Sequence, residues 1–263
     1  MKSTQYQMIL DAIEKIGLSQ TDITRKQTSA FDEFHVRGKM VSEELFSQIK
    51  LKNDSQVLDL GCGLGGTCRM LAEKYDCKVH GIDYSEQHID TAESLSNLTG
   101  FDGKTEFKHG DATELPYPSD QFDLVITQHV QMCIADKQKL YSEVKRVLKK
   151  GGLFIYYDVL KKSEKALTYP LPWVDNEANN FLISSKQLES TLNSLGFTKQ
   201  SSEDQSSKGS EFLTAFLTKA DKKPSILTGQ KILMGDNALE KVTNLHQALK
   251  DGILGLESGI YKL

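Results

Sequence analysis

The sequence has no surplus of basic charge and no long apolar run, and these absences argue against nucleic-acid and membrane proteins. Its 263 residues carry 32 Lys and Arg against 36 Asp and Glu, a net charge of −4. No basic excess is therefore present to neutralise the phosphates of a duplex. Asp11 and Glu14 interrupt the apolar residues near the N-terminus, which is typical of neither a signal peptide nor a membrane span. We expect a cytoplasmic protein with no nucleic-acid partner and no integral membrane association.

Cysteine is scarce, and its spacing argues against disulfides and metal ligands. Cys62, Cys68, Cys77 and Cys133 form no Cys-x-x-Cys pair and stand at no metal-ligand spacing from a histidine. Cysteines of this kind are typical of reduced thiols in a cytosolic protein. The sequence therefore predicts no disulfide and no metal site.

What the sequence does contain is a regular alternation of short apolar strands and helices. Residues 56–61 are predicted to form a buried strand and residues 67–75 a helix, and the alternation continues to a strand that ends near residue 160. Such alternation builds βαβ units, in which helices cover both faces of a parallel sheet. The sequence therefore predicts an α/β fold with a doubly wound sheet.

The region before this alternation is predicted to contain two helices joined by a polar link. The link covers residues 19–30, and the second helix runs from about residue 39 to residue 49. In the first helix, over residues 4–17, the periodicity places four apolar side chains near one face: Met8, Ile9, Ile13 and Ile16.

The pattern changes again after residue 160. A loop with prolines and the only tryptophan leads to a helix closed by Gly196 and then to a strand. A polar break at residues 205–210 precedes two predicted helices, at about 211–219 and 238–249, and a last strand ends the chain. Residues 205–250 are therefore predicted to be a helical insertion between the final two strands.

Glycine or polar residues stand at the predicted carboxyl ends of the first four strands. They are the loop 61–66, Asp83, Asp111 and the pair Gln128–His129. Open α/β sheets bind ligands at this edge, and a glycine loop lets backbone amides approach a ligand closely. Asp83 follows Gly63 by 20 residues (83 − 63), a spacing that suits a carboxylate on ribose hydroxyls. Together these features predict a nucleoside-bearing cofactor.

The spacing of the glycines leaves the kind of cofactor open. Gly66 stands three residues after Gly63, as in NAD sites. Asp59 lies in the approach to the loop, where its carboxylate could meet an ammonium group or order the loop, and Asp111 is placed to bond an adenine amino group. No second catalytic domain for hydride transfer is visible. These details favour an adenosine joined to an amino acid.

Four stretches, "VLDLGCGLGG", "GIDYSE", "GDATELPYPSDQFDLV" and "RVLKKGGLFI", together resemble class I S-adenosylmethionine-dependent methyltransferases over roughly residues 38–160. The resemblance implies a Rossmann-like, mostly parallel seven-stranded sheet. It implies S-adenosyl-L-methionine as cofactor, S-adenosyl-L-homocysteine as product, and no metal. It also implies contacts with each part of the cofactor: Asp59, Gly61, Gly63 and Gly65 at the methionine moiety, Asp83 at the ribose, Tyr84 and Ala112 beside the adenine, Asp111 at its amino group, and the Gln128 backbone at the ammonium.

A second resemblance extends over most of the chain. "DEFHVRG", "TQHVQMCIADK", "YPLPW" and "LMGDNALEK" are similar to segments of small-molecule methyltransferases of the sarcosine/dimethylglycine and ubiquinone/menaquinone types. This resemblance implies an N-terminal helical lid over residues 1–50 and a methyltransferase core over 51–204. A helical insertion that caps the substrate follows over 205–250, and residues 251–263 supply the final strand of the core.

Candidate acceptor contacts and a candidate base follow from these positions. His35 and Arg37 lie in the lid, where Arg37 could bind a carboxylate or be an ordinary surface arginine. Tyr169 and Trp173 lie where relatives contact substrate. The face of Trp173 could hold a methylated ammonium or anchor the loop on the core. His129 is the best candidate for a general base because it can titrate near neutrality; the alternative is a histidine satisfied by the loop backbone.

The sequence thus predicts a methyltransferase of a small molecule that acts by in-line displacement. A small amine such as sarcosine or dimethylglycine is the leading acceptor. The alternatives are C- or O-methylation of a quinone-like or other lipophilic acceptor, and a cofactor-binding module without turnover. A flat apolar pocket under residues 205–250 would favour the lipophilic acceptor, whereas a tight pocket with Arg37 and Trp173 would favour the amine. A nucleic-acid methyltransferase is disfavoured because "TQHV" replaces the Asn/Asp-Pro-Pro-Tyr/Phe motif that base-flipping enzymes carry.

Overall fold

The computed structural model describes residues 4–15, 17–19 and 23–263, and a seven-stranded sheet lies at its centre. The strands are β1 Gln56–Leu60, β2 Lys78–Asp83, β3 Thr105–His109, β4 Phe122–Gln128, β5 Leu148–Lys161, β6 Thr198–Asp204 and β7 Leu254–Lys262. Their order is β3-β2-β1-β4-β5-β7-β6. The first five pair in parallel, and β7 runs antiparallel to both β5 and β6. The predicted fold class, a mostly parallel doubly wound sheet, is confirmed.

The described residues form ten α-helices, which lie before the first strand or between successive strands. They are α1 Thr4–Lys15, α2 Arg25–Asp32, α3 Lys39–Phe46, α4 Gly66–Tyr75, α5 Glu86–Leu98, α6 Lys137–Val147, α7 Ser185–Ser194, α8 Ser206–Lys222, α9 Thr228–Met234 and α10 Ala238–Lys250. The last three lie between β6 and β7, where the sequence predicts an insertion. None of the helices in the described part of the chain has the length and apolar composition needed to cross a bilayer. The cytoplasmic location stays a prediction.

The apolar face of α1 differs in part from the predicted one. Ile9 and Ile13 are buried, but Met8 is 45% exposed, and Ile16 lies outside the described residues. Tyr6 and Leu10 fill the face instead, and they pack in one cluster with Ile9 and Ile13. Side chains one helical turn from Ile9 and Ile13 therefore complete the face that Met8 was expected to share.

Two segments predicted as polar links are helical. The link over residues 19–30 contains most of α2, which begins after Thr24, whose backbone N–H donates to Gln27 Oε1 at 2.8 Å. The predicted break at 205–210 is the first turn of α8. There Gly209 packs so closely on Leu256 that a Cβ would overlap that side chain. The capping box at Thr24 and Gln27 is a local signal for the start of α2. Contacts with distant segments, α2 with α4 and Gly209 with Leu256 of β7, hold the two helices in place.

A buried ion pair fastens α2 to the start of α4. Arg69 Nη2 lies 2.7 Å from Asp32 Oδ2, and both side chains are fully buried. The same guanidinium donates to the carbonyl oxygens of Leu64 and Ala92. A Cβ at Gly66 would overlap the carbonyl oxygen of Asp32, so the two segments touch through their backbones. The segment that contains α2 and α3, residues 25–46, is called the lid segment below.

We expect Asp32→Ala to lower the free energy of unfolding by about 3–5 kcal/mol, because it leaves the Arg69 guanidinium buried without its charged partner. Urea denaturation followed by circular dichroism measures this loss. Glu164→Ala is the matched control, since it removes the exposed partner of Lys161 and should cost less than about 1 kcal/mol. Equal losses in the two variants would contradict the assignment of Asp32–Arg69 as the fastening pair.

Candidate functional site

A cavity of about 1230 Å³ opens at the carboxyl ends of the parallel strands. It lies next to β1 and β4, where the direction of strand order reverses, which is the position that open α/β sheets use for ligands. Its wall comes from five parts of the chain: the lid segment, the end of β1 with the glycine loop, the ends of β2 to β4 with the loops that follow them, the loop around Trp173, and the helices α8 to α10. The volume exceeds the roughly 300–1,000 Å³ of a typical single-ligand pocket.

The glycine loop is held against β2 and leaves one open position. The backbone N–H groups of Gly61 and Cys62 donate to the carbonyl oxygen of Ile82 at 2.8 and 3.1 Å. Gly63 has φ +52°, and a Cβ built there would meet no atom within 4 Å. Because Gly63 lines the cavity, a side chain at this position would occupy ligand space.

The other glycines of the loop leave room for protein atoms. A Cβ at Gly61 would lie 2.5 Å from Val130, and a Cβ at Gly65 would lie 2.6 Å from Phe107. Gly66 faces the lid segment, with the Cγ of Glu33 2.7 Å from the added carbon. Gly61 lines the cavity, whereas Gly65 does not. The loop is therefore rich in glycine mainly because neighbouring side chains and the lid pack against it.

Asp83 closes the loop from the end of β2. Its Oδ2 accepts from the Gly63 N–H at 2.9 Å, and its Oδ1 accepts from the Ser85 N–H at 2.9 Å. The His88 ring lies 3.2 Å from Oδ1. Burial alone would raise the pKa of Asp83, but the hydrogen bonds from His88, Ser85 and Gly63 hold it below the ordinary value. An ionised carboxylate therefore faces the cavity.

Asp59 is a buried carboxyl on the cavity wall. It is 3% exposed, and the Cys68 thiol donates to its Oδ2 at 3.3 Å. Burial raises the pKa of Asp59 to about 7, and no cation among the described residues offsets this effect. A cationic ligand group would supply the charge that the site lacks.

The predicted adenine contacts lie at the rim of the cavity. Tyr84 is 79% exposed, and its carbonyl oxygen lies 3.0 Å from His109 Nε2. Asp111 Oδ1 accepts from the backbone N–H and the hydroxyl of Thr113 at 2.7 and 2.8 Å. Ala112 lines the same wall and is half-buried. These three residues are thus brought to one end of the cavity.

A chain of hydrogen bonds ties the end of β4 to the lid segment. The Thr67 hydroxyl donates to Gln128 Oε1 at 2.8 Å, and Gln128 Nε2 donates to Ser42 Oγ at 3.1 Å. Ser42 Oγ lies 3.0 Å from His35 Nε2, which also lies 2.9 Å from the Gly38 carbonyl oxygen. Burial lowers the pKa of His35 to about 4. His35 is therefore a neutral side chain at the lid-segment end of this chain of hydrogen bonds.

His129 has strained backbone and a neutral ring. Its φ is +57°, and Asp158 Oδ1 fixes the turn by accepting from the N–H groups of Val130 and Gln131 at 2.8 and 3.4 Å. The His129 Nε2 atom is buried without a hydrogen-bond partner. Burial, with His35 nearby, lowers the pKa of His129 well below its ordinary value. This differs from the predicted titration near neutrality, because the ring is enclosed between the lid and β5.

Arg37 is neither an ordinary surface residue nor free for a ligand. It is 5% exposed and has a left-handed backbone with φ +71°. Its Nη1 donates to Gln205 Oε1 at 3.0 Å, and its Nη2 pairs with Glu44. Although Arg37 lines the cavity, its guanidinium joins the lid segment to the start of α8.

The loop before α7 is organised by an asparagine that the sequence did not single out. Asn180 Oδ1 accepts from Trp173 Nε1 at 3.0 Å, and Asn180 Nδ2 donates to the Tyr169 hydroxyl at 2.9 Å. Trp173 lines the cavity, whereas Tyr169 packs behind it on the core. Asn180 gave no sequence signal because its partners, 7 and 11 residues earlier in the chain, come within hydrogen-bond distance only after the loop folds.

The part of the cavity under α8 to α10 is apolar except for Gln230, whose buried Oε1 has no hydrogen-bond partner. Phe212 and Phe216 stack with ring centroids 6.4 Å apart. Apolar side chains from α8 to α10 and the adjoining turn supply this wall: Phe212, Leu213, Phe216, Ile226, Leu233, Met234, Val242 and Leu245. Within the described ranges, no three His, Cys, Asp or Glu side chains cluster as metal ligands.

Comparisons with known proteins identify the family to which the chain belongs. The methyltransferase-domain family matches residues 51–216, well over half of the chain. The chain is 39% identical over 104 residues to ajmaline N-methyltransferase of Rauvolfia serpentina, across 40% of this chain and 36% of that relative. It is 32% identical over 155 residues to sarcosine/dimethylglycine N-methyltransferase of Halorhodospira halochloris, across 59% of this chain and 56% of that relative. The matched regions thus span roughly a third to just over half of the relatives' length.

Among solved structures, phosphoethanolamine N-methyltransferase 2 of Haemonchus contortus superposes with a TM-score of 0.74 at 18% identity, across 97% of this chain and 59% of that chain. The sheet order and the cavity at its reversal point define a Rossmann-like methyltransferase fold. The chain belongs to the class I S-adenosylmethionine-dependent methyltransferases, whose domain covers residues 51–216. The family resemblance seen in the sequence is confirmed.

We expect Gly65→Ala to lower the free energy of unfolding by about 2–5 kcal/mol, because the methyl group would overlap Phe107 in a left-handed backbone. Gly63→Ala meets open space and should cost only about 1–2 kcal/mol from its backbone conformation. Urea titrations of the two variants measure the difference. Equal stabilities would contradict the distinct environments of these two glycines.

Proposed function

We propose that the protein transfers a methyl group from S-adenosyl-L-methionine to a lipophilic small molecule held beneath α8 to α10. The apolar wall under these helices carries this proposal. A cavity of about 1230 Å³ has room for an acceptor beside the cofactor. Burying an aromatic or branched apolar group contributes about 1.5–3 kcal/mol, so the wall favours acceptors with an apolar body.

Arg37 supports the same class of acceptor because its charge is already used. An amino-acid acceptor such as sarcosine carries a carboxylate, which a free guanidinium would recognise. The Arg37 guanidinium is instead committed to Glu44 and Gln205. Trp173 remains on the wall as an aromatic contact. The small-amine acceptor is therefore the weaker alternative, and a lipophilic acceptor is favoured.

The wall of the cavity suits the amino-acid end of the cofactor. When bound, S-adenosyl-L-methionine supplies a methyl group on a sulfonium, which is an activated donor. We assign Asp59 to the ammonium group, because it is a buried carboxyl without a cation. We assign the backbone of Gln128 to the same group, because it ends the neighbouring strand β4, two residues after Ile126, the register partner of Asp59. Gly63 leaves open space at the same wall.

The adenosine end is assigned to the ends of β2 and β3. The ionised carboxylate of Asp83 is an acceptor for ribose hydroxyls, and charge-assisted hydrogen bonds of this kind are the strong ones. Tyr84 and Ala112 would flank the adenine, and Asp111 would accept from its amino group. All four of these residues line the cavity, which supports these roles.

Catalysis by this chain is mainly positioning and exclusion of water. Holding two reactants in line can lower a barrier by about 7–11 kcal/mol. We propose that residues 1–50 act as a lid on the 51–204 core, that residues 205–250 cap the acceptor, and that 251–263 complete the core. The neutral ring of His129 can accept a hydrogen bond through its free Nε2 and orient an acceptor O–H or N–H.

Release of S-adenosyl-L-homocysteine with a panel of acceptors tests the proposal. Lipophilic phenols, quinols and amines should be turned over with a lower KM than sarcosine or dimethylglycine. Turnover of only sarcosine and dimethylglycine would contradict the lipophilic class. Tight binding of the cofactor without turnover of any acceptor would favour the binding module.

For the acceptor of that panel with the lowest KM, Phe216→Ser should raise KM by about tenfold or more, because it removes an apolar side chain from the wall under α8 to α10. The affinity for S-adenosyl-L-homocysteine should not change. Phe101→Ser makes the same chemical change outside the cavity and should leave KM as in the wild type. An unchanged KM in Phe216→Ser would place the acceptor elsewhere.

We expect Asp83→Ala to weaken binding of S-adenosyl-L-homocysteine by about 1.5–3 kcal/mol, because it removes a charged acceptor for the ribose hydroxyls. Isothermal titration calorimetry measures the affinity, and circular dichroism checks that the loop change does not unfold the chain. Asp102→Ala, on the exposed loop before β3, is the control. Unchanged affinity in Asp83→Ala would refute the ribose assignment.

A further inference from the structure

Glu33 is a buried carboxyl that none of the roles above uses. It directly follows α2 in the lid segment, and its side chain is 0% exposed. Neither carboxyl oxygen makes a hydrogen bond. The side chain packs against the start of α4, 2.7 Å from the position of a Cβ on Gly66. The Glu33 carboxyl is therefore buried only while the lid segment lies against the glycine loop.

The cations around Glu33 also pair with other carboxylates, although the Arg25 Nη1 atom that faces Glu33 makes no hydrogen bond. On its own segment, Arg25 Nη1 lies 3.9 Å from Glu33 Oε1, whereas Arg25 Nη2 lies 2.6 Å from Glu73 of α4. Arg69 of α4 pairs with Asp32.

The other neighbours give Glu33 no compensating charge. Glu43 of α3 adds a further negative charge, whereas the nearby Ser42 hydroxyl, which also contacts His35 and Gln128, lowers the pKa of Glu33 in part. A neutral acid therefore fits the closed lid better than a carboxylate does. Burial, followed by the charge of Asp32, raises the pKa of Glu33 to about 8, and Arg25 only partly offsets them.

We propose that the lid segment closes over bound S-adenosyl-L-methionine or its product with Glu33 protonated, so that closing takes up a proton from solvent. This inference rests on the proposed function for the identity of the ligand. It makes Glu33 a positioning residue, since its carboxyl acts on the lid and does not touch the reacting atoms.

The direction of the pH effect follows from linkage. When the lid is open, the Glu33 carboxyl lies in water with an ordinary pKa of 4.5, and when it is closed the pKa is about 8. Between these values the closed state holds one more proton than the open state. Closure is therefore favoured at low pH and weakens by up to about tenfold per pH unit until about pH 8, above which the loss is constant.

Asp59 has the opposite effect and must be separated from Glu33. Its pKa of about 7 without a cation means that binding an ammonium group would release a proton. The two contributions cancel in part in the wild type. The difference between the wild type and Glu33→Gln isolates the contribution of Glu33, because Gln keeps the shape of the side chain without titrating.

Calorimetric titration with S-adenosyl-L-homocysteine at pH 6.5, in buffers of different ionisation enthalpy, measures the protons exchanged on binding. The wild type should take up about one proton more than Glu33→Gln. Glu43→Gln, an exposed neighbour on α3, should match the wild type. Equal proton uptake in the wild type and Glu33→Gln would overturn the inference. Failure of the wild type to bind at any pH would overturn the proposed function, and this inference with it.

Hydrogen exchange supplies a test that needs no variant to fold. In the wild type saturated with S-adenosyl-L-homocysteine, transient opening of residues 25–46 should increase between pH 6 and pH 8, by up to about tenfold per pH unit after correction for intrinsic exchange. Helix α6, on the other side of the sheet from this contact, serves as the internal reference. Opening of residues 25–46 that does not change with pH would overturn the inference.

Discussion

The contact between the lid segment and the start of α4 is the constraint on which the site depends. Asp32 and Arg69 form a buried ion pair there, and Gly66 lets the two backbones meet. A buried pair of this kind is worth little relative to an apolar contact, but it tolerates the loss of neither partner. It therefore fixes where the lid lies, and with it the positions of Glu33, His35 and the hydrogen bonds that reach Gln128.

The glycines of the loop serve two purposes: most of them allow neighbouring protein atoms to pack closely, and one leaves space in the ligand cavity. Its spacing correctly indicates a loop at the end of β1 beside a ligand cavity. Three of its four glycines nevertheless leave room for Val130, Phe107 and the lid segment, and only Gly63 borders open space. Small residues are thus required in this loop both by the packing of the protein and by the space for a ligand. A motif of this kind constrains the packing around a cofactor as strongly as the cofactor contact itself.

Sequence reasoning succeeded where the structure depends on local periodicity. The strands, their order in βαβ units and the carboxylates at their ends could be predicted, because each is encoded within a few residues. It failed where non-local packing decides. Helix α2 has a single large apolar residue, Phe31, and is held by buried polar groups. The partners of Arg37 lie at residues 44 and 205, and the low pKa of His129 reflects enclosure by distant segments.

The same division separates the two parts of the cavity that we propose for the cofactor and for the acceptor. The sheet edge presents backbone amides and carboxylates, which need an exact polar partner and so leave a recognisable pattern in the sequence. The helices α8 to α10 present apolar side chains, whose interaction is non-directional and roughly proportional to area. Many different apolar residues can build such a wall, so its sequence carries little signal of the acceptor. The size and polarity of the folded cavity carry that information, and they are the basis on which we propose an acceptor with an apolar body.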